Sequence, residues 1–151
     1  GTALGDPFSG MTAKEATYNV NRVSGSAIAT TATFSSTAGE EVEWGVMLTA
    51  SKITSASAES GSTVDNAASS SAGLVAYLEA VSLASGTVVV KVQHSADAST
   101  WVDLITFTSV AAAAAPTAER ATATGTINRY LRWNTSGTFS NLVFVMGASR
   151  Q

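Results

Sequence analysis

The chain has 151 residues and a mass of 15.3 kDa, enough for one ordinary domain or for a small domain with a strand-rich extension. Ala, Ser and Thr supply 27, 21 and 20 residues while only 13% are charged, so the side chains suit flat, weakly charged surfaces better than a thick core. A net charge of −3 and a pI near 5.0 argue against a nucleic-acid surface, which needs clustered Lys and Arg, and the absence of cysteine excludes disulfides, thiolate catalysis and Cys-based zinc sites.

In chain order, Thr17 to Val23 alternates polar and apolar residues, and after Ser24-Gly25 a second run places Ile28, Thr30, Ala32 and Phe34 on one face. The pair predicts a β-hairpin. Glu41 to Leu48 begins in strict alternation and ends almost continuously apolar, as a strand does on passing under cover. Residues 51–71 are rich in Ser, Ala, Thr and Gly and read as a linker or long surface loop. Three strands follow, Leu74 to Val81, Thr87 to Gln93 and Trp101 to Thr108, with turns at Ala84-Ser85-Gly86 and at residues 95–99. Trp101, Ile105 and Phe107 share a parity and are expected to be buried together. The alanines at 111–115 are too few for a helix and read as a loop closed by Pro116. Glu119 to Thr124, Asn128 to Asn134 and Phe139 to Met146 supply three more strands.

These elements predict an all-β fold: an antiparallel β-sandwich preceded by a β-hairpin and strand extension belonging to an incomplete sheet. The expected division is 1–58 for the strand segment, 59–72 for the linker and 73–151 for the sandwich. The longest apolar run, Ser109 to Pro116, falls far short of the ~18–20 residues of a membrane span, so the chain reads as soluble. No signal peptide is visible, and a leading Gly1 reads as a piece cut from a longer chain.

Groups that could carry chemistry are few. The one histidine, His94, lies beside Ser95 and close to Asp97, but successive strand residues point to opposite faces, so adjacency argues against a catalytic triad and for a strand-end turn. Glu40, Glu41 and Glu43 are the main carboxylate cluster; a solvated face or subunit contact is the plainer reading than a cation site. Arg129, Tyr130, Arg132 and Trp133 mix base and aromatic; alternation puts Arg129, Leu131 and Trp133 on one face and Tyr130 and Arg132 on the other. Trp44, Trp101 and Trp133 are expected in the core, with Trp101 or Tyr130 the candidate sugar platform. No catalytic, cofactor-binding or metal-ligating residue is assigned, and the reading is non-enzymatic.

Several stretches, taken in order, carry a resemblance. They are Ala3 to Met11, Ala38 to Val46, Asp65-Asn66-Ala67-Ala68, Val92 to Asp97 with Trp101-Val102-Asp103-Leu104, and Glu119-Arg120 with Thr124 to Arg132. This set resembles the second half of the tail-tube (major tail) proteins of long-tailed siphovirus phages, especially those infecting actinobacteria, through nearly the whole chain. The resemblance implies a virion protein, assembled in the host cytoplasm, whose copies form rings, usually hexameric, stacked into a tube. Through that tube DNA passes without specific binding. Residues like 15–35 would lie in the tube wall and the sandwich outside it, touching other virion proteins or a host-surface glycan, with no membrane and no cofactor. On this resemblance the upstream half of the tube domain would lie outside this sequence. The alternative is a capsid-decorating or carbohydrate-binding adhesion module.

Overall fold

The computed structural model describes residues 2–21, 29–36 and 42–151. In chain order the strands are β1 (Pro7–Gly10), β2 (Ala13–Asn21), β3 (Ala29–Ser36), β4 (Glu43–Met47), β5 (Ile53–Ser55), β6 (Val64–Asp65), β7 (Leu74–Ser95), β8 (Val102–Thr106), β9 (Val110–Ala111), β10 (Thr117–Ala123) and β11 (Tyr130–Arg150). A single 3-10 turn at Ala112–Ala114 is the helical exception among the described residues. The all-β class expected from the sequence is what forms. The chain divides into two units, one of residues 10–43 and one of residues 1–9 with 44–151.

In the larger unit β7 and β11 run antiparallel from Leu74↔Arg150 to Ser95↔Tyr130. A straight strand of β11's length would reach about 70 Å. Yet Trp133 and Phe144, both on β11, meet edge to face with ring centroids 5.2 Å apart. The ribbon is therefore folded over on itself. The bend lies where Gly86 is opposite Phe139 and Gly137 opposite Val88, with φ of +83° and +113° respectively. Each residue also brings its α-carbon so close to the facing strand that a β-carbon would strike a backbone carbonyl, Thr138 for Gly86 and Thr87 for Gly137. Glycine alone meets both demands.

One half of the folded ribbon is flanked by β10, β4 and β5, the other by β8, β9 and β6. Their inner faces share one core: Leu74, Ala76, Leu78, Ala80, Leu142, Phe144, Met146 and Ala148 from the first half, and Val88, Val90, Val92, Leu131 and Trp133 from the second. This is sheet-on-sheet packing built from shared strands. Single extra residues reset the inward parity. Val81 is skipped where Val143 pairs with Ser82 and Phe144 with Ala80, and Leu104 is skipped where Val92 pairs with Ile105 and Gln93 with Asp103.

Three sequence expectations are corrected. The runs at 74–81 and 87–93 form one strand, as do those at 128–134 and 139–146, because the glycines bend the ribbon without reversing it. The boundary near residue 58 is not where the units divide: Leu48 is fully buried in the core and β4, β5 and β6 all pair with β11. Residues 59–72 are no free linker, since Thr135 donates to the Glu59 carbonyl (2.8 Å), Gly61 to that of Trp133 (3.0 Å) and Ser70 to that of Ile127 (3.0 Å). Small polar side chains gave that stretch the composition of a loop, but backbone pairing does not depend on them.

The smaller unit is the antiparallel ribbon of β2 and β3, paired from Ala13↔Ser36 to Asn21↔Ala29. Residues 31–35 are exposed on both faces of β3, Phe34 at 60%. The expected turn at Ser24-Gly25 and Ile28, expected on one face with Thr30, Ala32 and Phe34, lie outside the described residues.

Candidate functional site, the outer face of strands β8, β7 and β11

Pairing inward residues on β7 and β11 leaves their alternates outside. Leu131 and Trp133 face the core, so Tyr130, Arg132 and Asn134 face out; Val90 and Val92 face in, so Lys91 and Gln93 face out. Arg132 is opposite Gln93, and Gln93 opposite Asp103 on β8, which sets three polar side chains in a row across three strands. They are bonded in sequence: Arg132 Nε donates to Gln93 Oε1 (2.8 Å), and Gln93 Nε2 donates to Asp103 Oδ1 (2.7 Å). Lys91 Nζ donates to Asp103 Oδ2 at 2.6 Å. The Lys91 and Gln93 donors hold the Asp103 carboxyl below its ordinary range.

Trp101 stands at the end of this row, half-buried, with the Arg132 guanidinium 4.1 Å from its ring centre. Partial burial lowers the Arg132 pKa from its ordinary value. Next along the face, Arg129 lies over the Tyr130 ring at 4.9 Å and reaches Asp65 through two bonds of 2.6 Å. That fork, helped by the Ala67 amide, pulls the Asp65 pKa down to about 2. Asn134 donates to Ser60 Oγ at 3.0 Å.

The expected burial of Trp101 with Ile105 and Phe107 is thus overturned. Ile105 and Phe107 are in the core at 4% and 2% exposure, but the extra residue at Leu104 flips the parity upstream and carries Asp103 and Trp101 to the outer face. Trp133 is buried, as expected, whereas Trp44 is 72% exposed, against expectation. Tyr130 and Arg132 share the outer face, as alternation predicts. Arg129 precedes the strand and turns to Asp65 instead of joining Leu131 and Trp133.

His94, Ser95 and Asp97 do not converge. His94 Nδ1 accepts the Asn128 amide at 3.2 Å, and burial lowers its pKa. Asp97 instead accepts the amides of Thr100 (2.8 Å) and Ser99 (2.9 Å) and the Ser95 hydroxyl (2.8 Å), which together hold its carboxyl well below the ordinary range and close the turn. Glu43 is half-buried, and Glu40 and Glu41 lie outside the described residues. Among the described residues no three His, Asp or Glu gather as a metal site.

A depression of about 290 Å3 lies elsewhere in the unit, lined by Trp44, Gly45, Val46, Asn66, Ala148 and Arg150. Arg150 donates there to the carbonyls of Ala68, Ile127 and Asn128 at 2.6, 3.0 and 3.0 Å, which ties the 66–70 stretch to the end of β11. No protein-family model matches the sequence, and no curated protein matches it.

Proposed function

We propose that the chain is a structural subunit that assembles with copies of itself, of the kind that forms phage tail tubes. In this reading the β2–β3 ribbon contributes to a ring wall around a DNA conduit, in stacked hexameric rings within the virion. The larger sandwich is carried outside that wall.

The observation that carries the reading is the exposure of β3. A two-stranded ribbon is marginal in water at best, and in this one Thr31 to Ser35 are open on both faces of β3. Strands from neighbouring copies would cover Phe34 and continue the sheet through its edges. The small, weakly charged side chains of this chain suit close backbone pairing, and its net charge of −3 suits a wall past which a polyanion slides without sticking.

The test is hydrogen exchange on the dilute chain and on assembled particles, with negative-stain microscopy of both. Amides of residues 13–21 and 29–36 exchange quickly in the monomer, while those of β7 and β11 stay protected; assembly then protects the ribbon. Rapid exchange of the ribbon in every state, with no rings or tubes at any concentration, defeats the proposal.

A further inference from the structure

We propose that the outer face of β8, β7 and β11 binds a neutral glycan, with Trp101 as stacking platform and Arg132, Gln93 and Asp103 as the row that meets sugar hydroxyls. The inference is independent of the assembly reading, because every residue it uses lies within the larger unit.

Three features of the face point to this ligand class. Its side chains are already fixed. Arg132, Gln93, Asp103 and Lys91 are bonded one to the next, and the guanidinium braces one face of the partly exposed Trp101 ring and leaves the other face as the platform, so a ligand meets groups whose rotamers need not be ordered on binding. Its donors and acceptors are not exhausted. Arg132 commits its Nε–H to Gln93, leaving the terminal nitrogens to donate, and the Asp103 oxygens each accept one bond and retain lone pairs. A hydroxyl both donates and accepts, and neighbouring hydroxyls on a pyranose match a row in which donors and acceptors alternate.

Two of the three cations on the face, finally, are answered by carboxylates. Lys91 pairs with Asp103, Arg129 pairs with Asp65, and Arg132 rests on an aromatic ring. An anionic ligand finds Asp103 and Asp65 already beside Lys91 and Arg129, and one unpaired guanidinium, Arg132, makes no basic stripe for a polynucleotide. A protein partner needs an apolar, charge-depleted centre, whereas this face carries charged side chains at its middle. A neutral polyol with an apolar ring face for Trp101 satisfies what remains.

The experiment is calorimetric titration of the full chain with cellohexaose, maltohexaose, chitohexaose and mannohexaose, with heparin as the anionic arm. At least one neutral oligosaccharide binds saturably with Kd of about 1 mM or tighter. Trp101→Ala and Arg132→Lys each weaken it about tenfold, the second because a lysine keeps the charge but loses the planar fork. Trp44→Ala leaves it unchanged, and circular dichroism shows all three variants folded. Absence of binding to every neutral probe overturns the proposal. So does binding that survives Trp101→Ala within about twofold, or affinity for heparin alone that fades with salt.

Discussion

Replacing Phe144 by alanine tests the folding-over of the central ribbon most directly. The ring is fully buried on the half of β11 that pairs with the start of β7, and it meets Trp133 from the other half at 5.2 Å and 88°. Removing it exposes about 150 Å2 of apolar surface, about 4 kcal/mol at about 25 cal/mol per Å2. A compact unfolded chain lowers that figure to about 3 kcal/mol. Loss of the edge-to-face pair adds about 1 kcal/mol, so the expected cost is about 3–5 kcal/mol. Urea unfolding followed by far-ultraviolet circular dichroism measures it. A double-mutant cycle with Trp133→Leu should give a coupling of about 0.5–1.5 kcal/mol. On a straight strand the two side chains, eleven positions apart, would be about 36 Å distant and strictly additive. A single cost under about 1.5 kcal/mol together with zero coupling would refute the folded ribbon.

Trp101→Ala, although it removes a larger side chain, should cost only about 1–2 kcal/mol, because the ring is half outside and gives up mainly its contact with Arg132; a loss of the size expected for Phe144 would put the indole in the core after all. Gly137→Ala should destabilise by about 1–3 kcal/mol, since it combines φ of +113° with a β-carbon 2.5 Å from the Thr87 carbonyl oxygen; a neutral result in thermal melts would mean the bend relaxes freely. Asp65, depressed from 3.8 to about 2, favours the fold fully above its ordinary value and loses that contribution as pH falls toward about 2. Its carboxyl carbon shift should titrate near the lower value and move up in Arg129→Ala, and an unmoved midpoint would count against the fork. His94, depressed by burial from 6.5, gives its full contribution above that pH and loses it as pH falls below. The melting point between pH 7 and 5 should therefore drop less in His94→Gln than in the parent, and equal drops would show the imidazole freely solvated.

Period-two alternation made much of the core legible in the sequence. Val88, Val90 and Val92 on β7 and Leu131 and Trp133 on β11 point inward as their spacing predicts. The antiparallel pairing of β2 with β3 matches the alternating runs, and the turn around Asp97 was visible in its Ser and Asp residues. What escaped was every place where one residue resets the phase. Leu104 moved Trp101 from core to surface, and nothing in Trp-Val-Asp-Leu-Ile marks which residue will be skipped. Gly86 read as part of a turn, and the break around Gly137 as a gap between two strands, because a glycine with positive φ serves a hairpin and a bend alike. Residues 59–72 read as a linker because much of their hold on β11 runs through backbone pairing, which composition does not record. The candidate face was half legible. Tyr130 and Arg132 were placed on a common face, but their link to Gln93, Asp103 and Lys91 depends on cross-strand register, a long-range property.

The position of β11 in the sheet also governs how the chain is made. This strand pairs with β4, β5, β6 and β7, and it follows all of them in the sequence. Met146 bonds Thr49 across 97 residues, and Gly147 pairs with Met47. During synthesis, therefore, the strands that need β11 leave the ribosome before their common partner exists, and at about 5–20 residues per second they wait for several seconds. Closing such distant pairs is slow in itself. The emerging chain thus passes through a period in which β4, β5, β6 and one edge of β7 lack the strand they share. A stop codon ahead of Tyr130 would not yield a trimmed domain but a β7 with β8, β9 and β10 along one edge and an unpaired edge where β11 belongs.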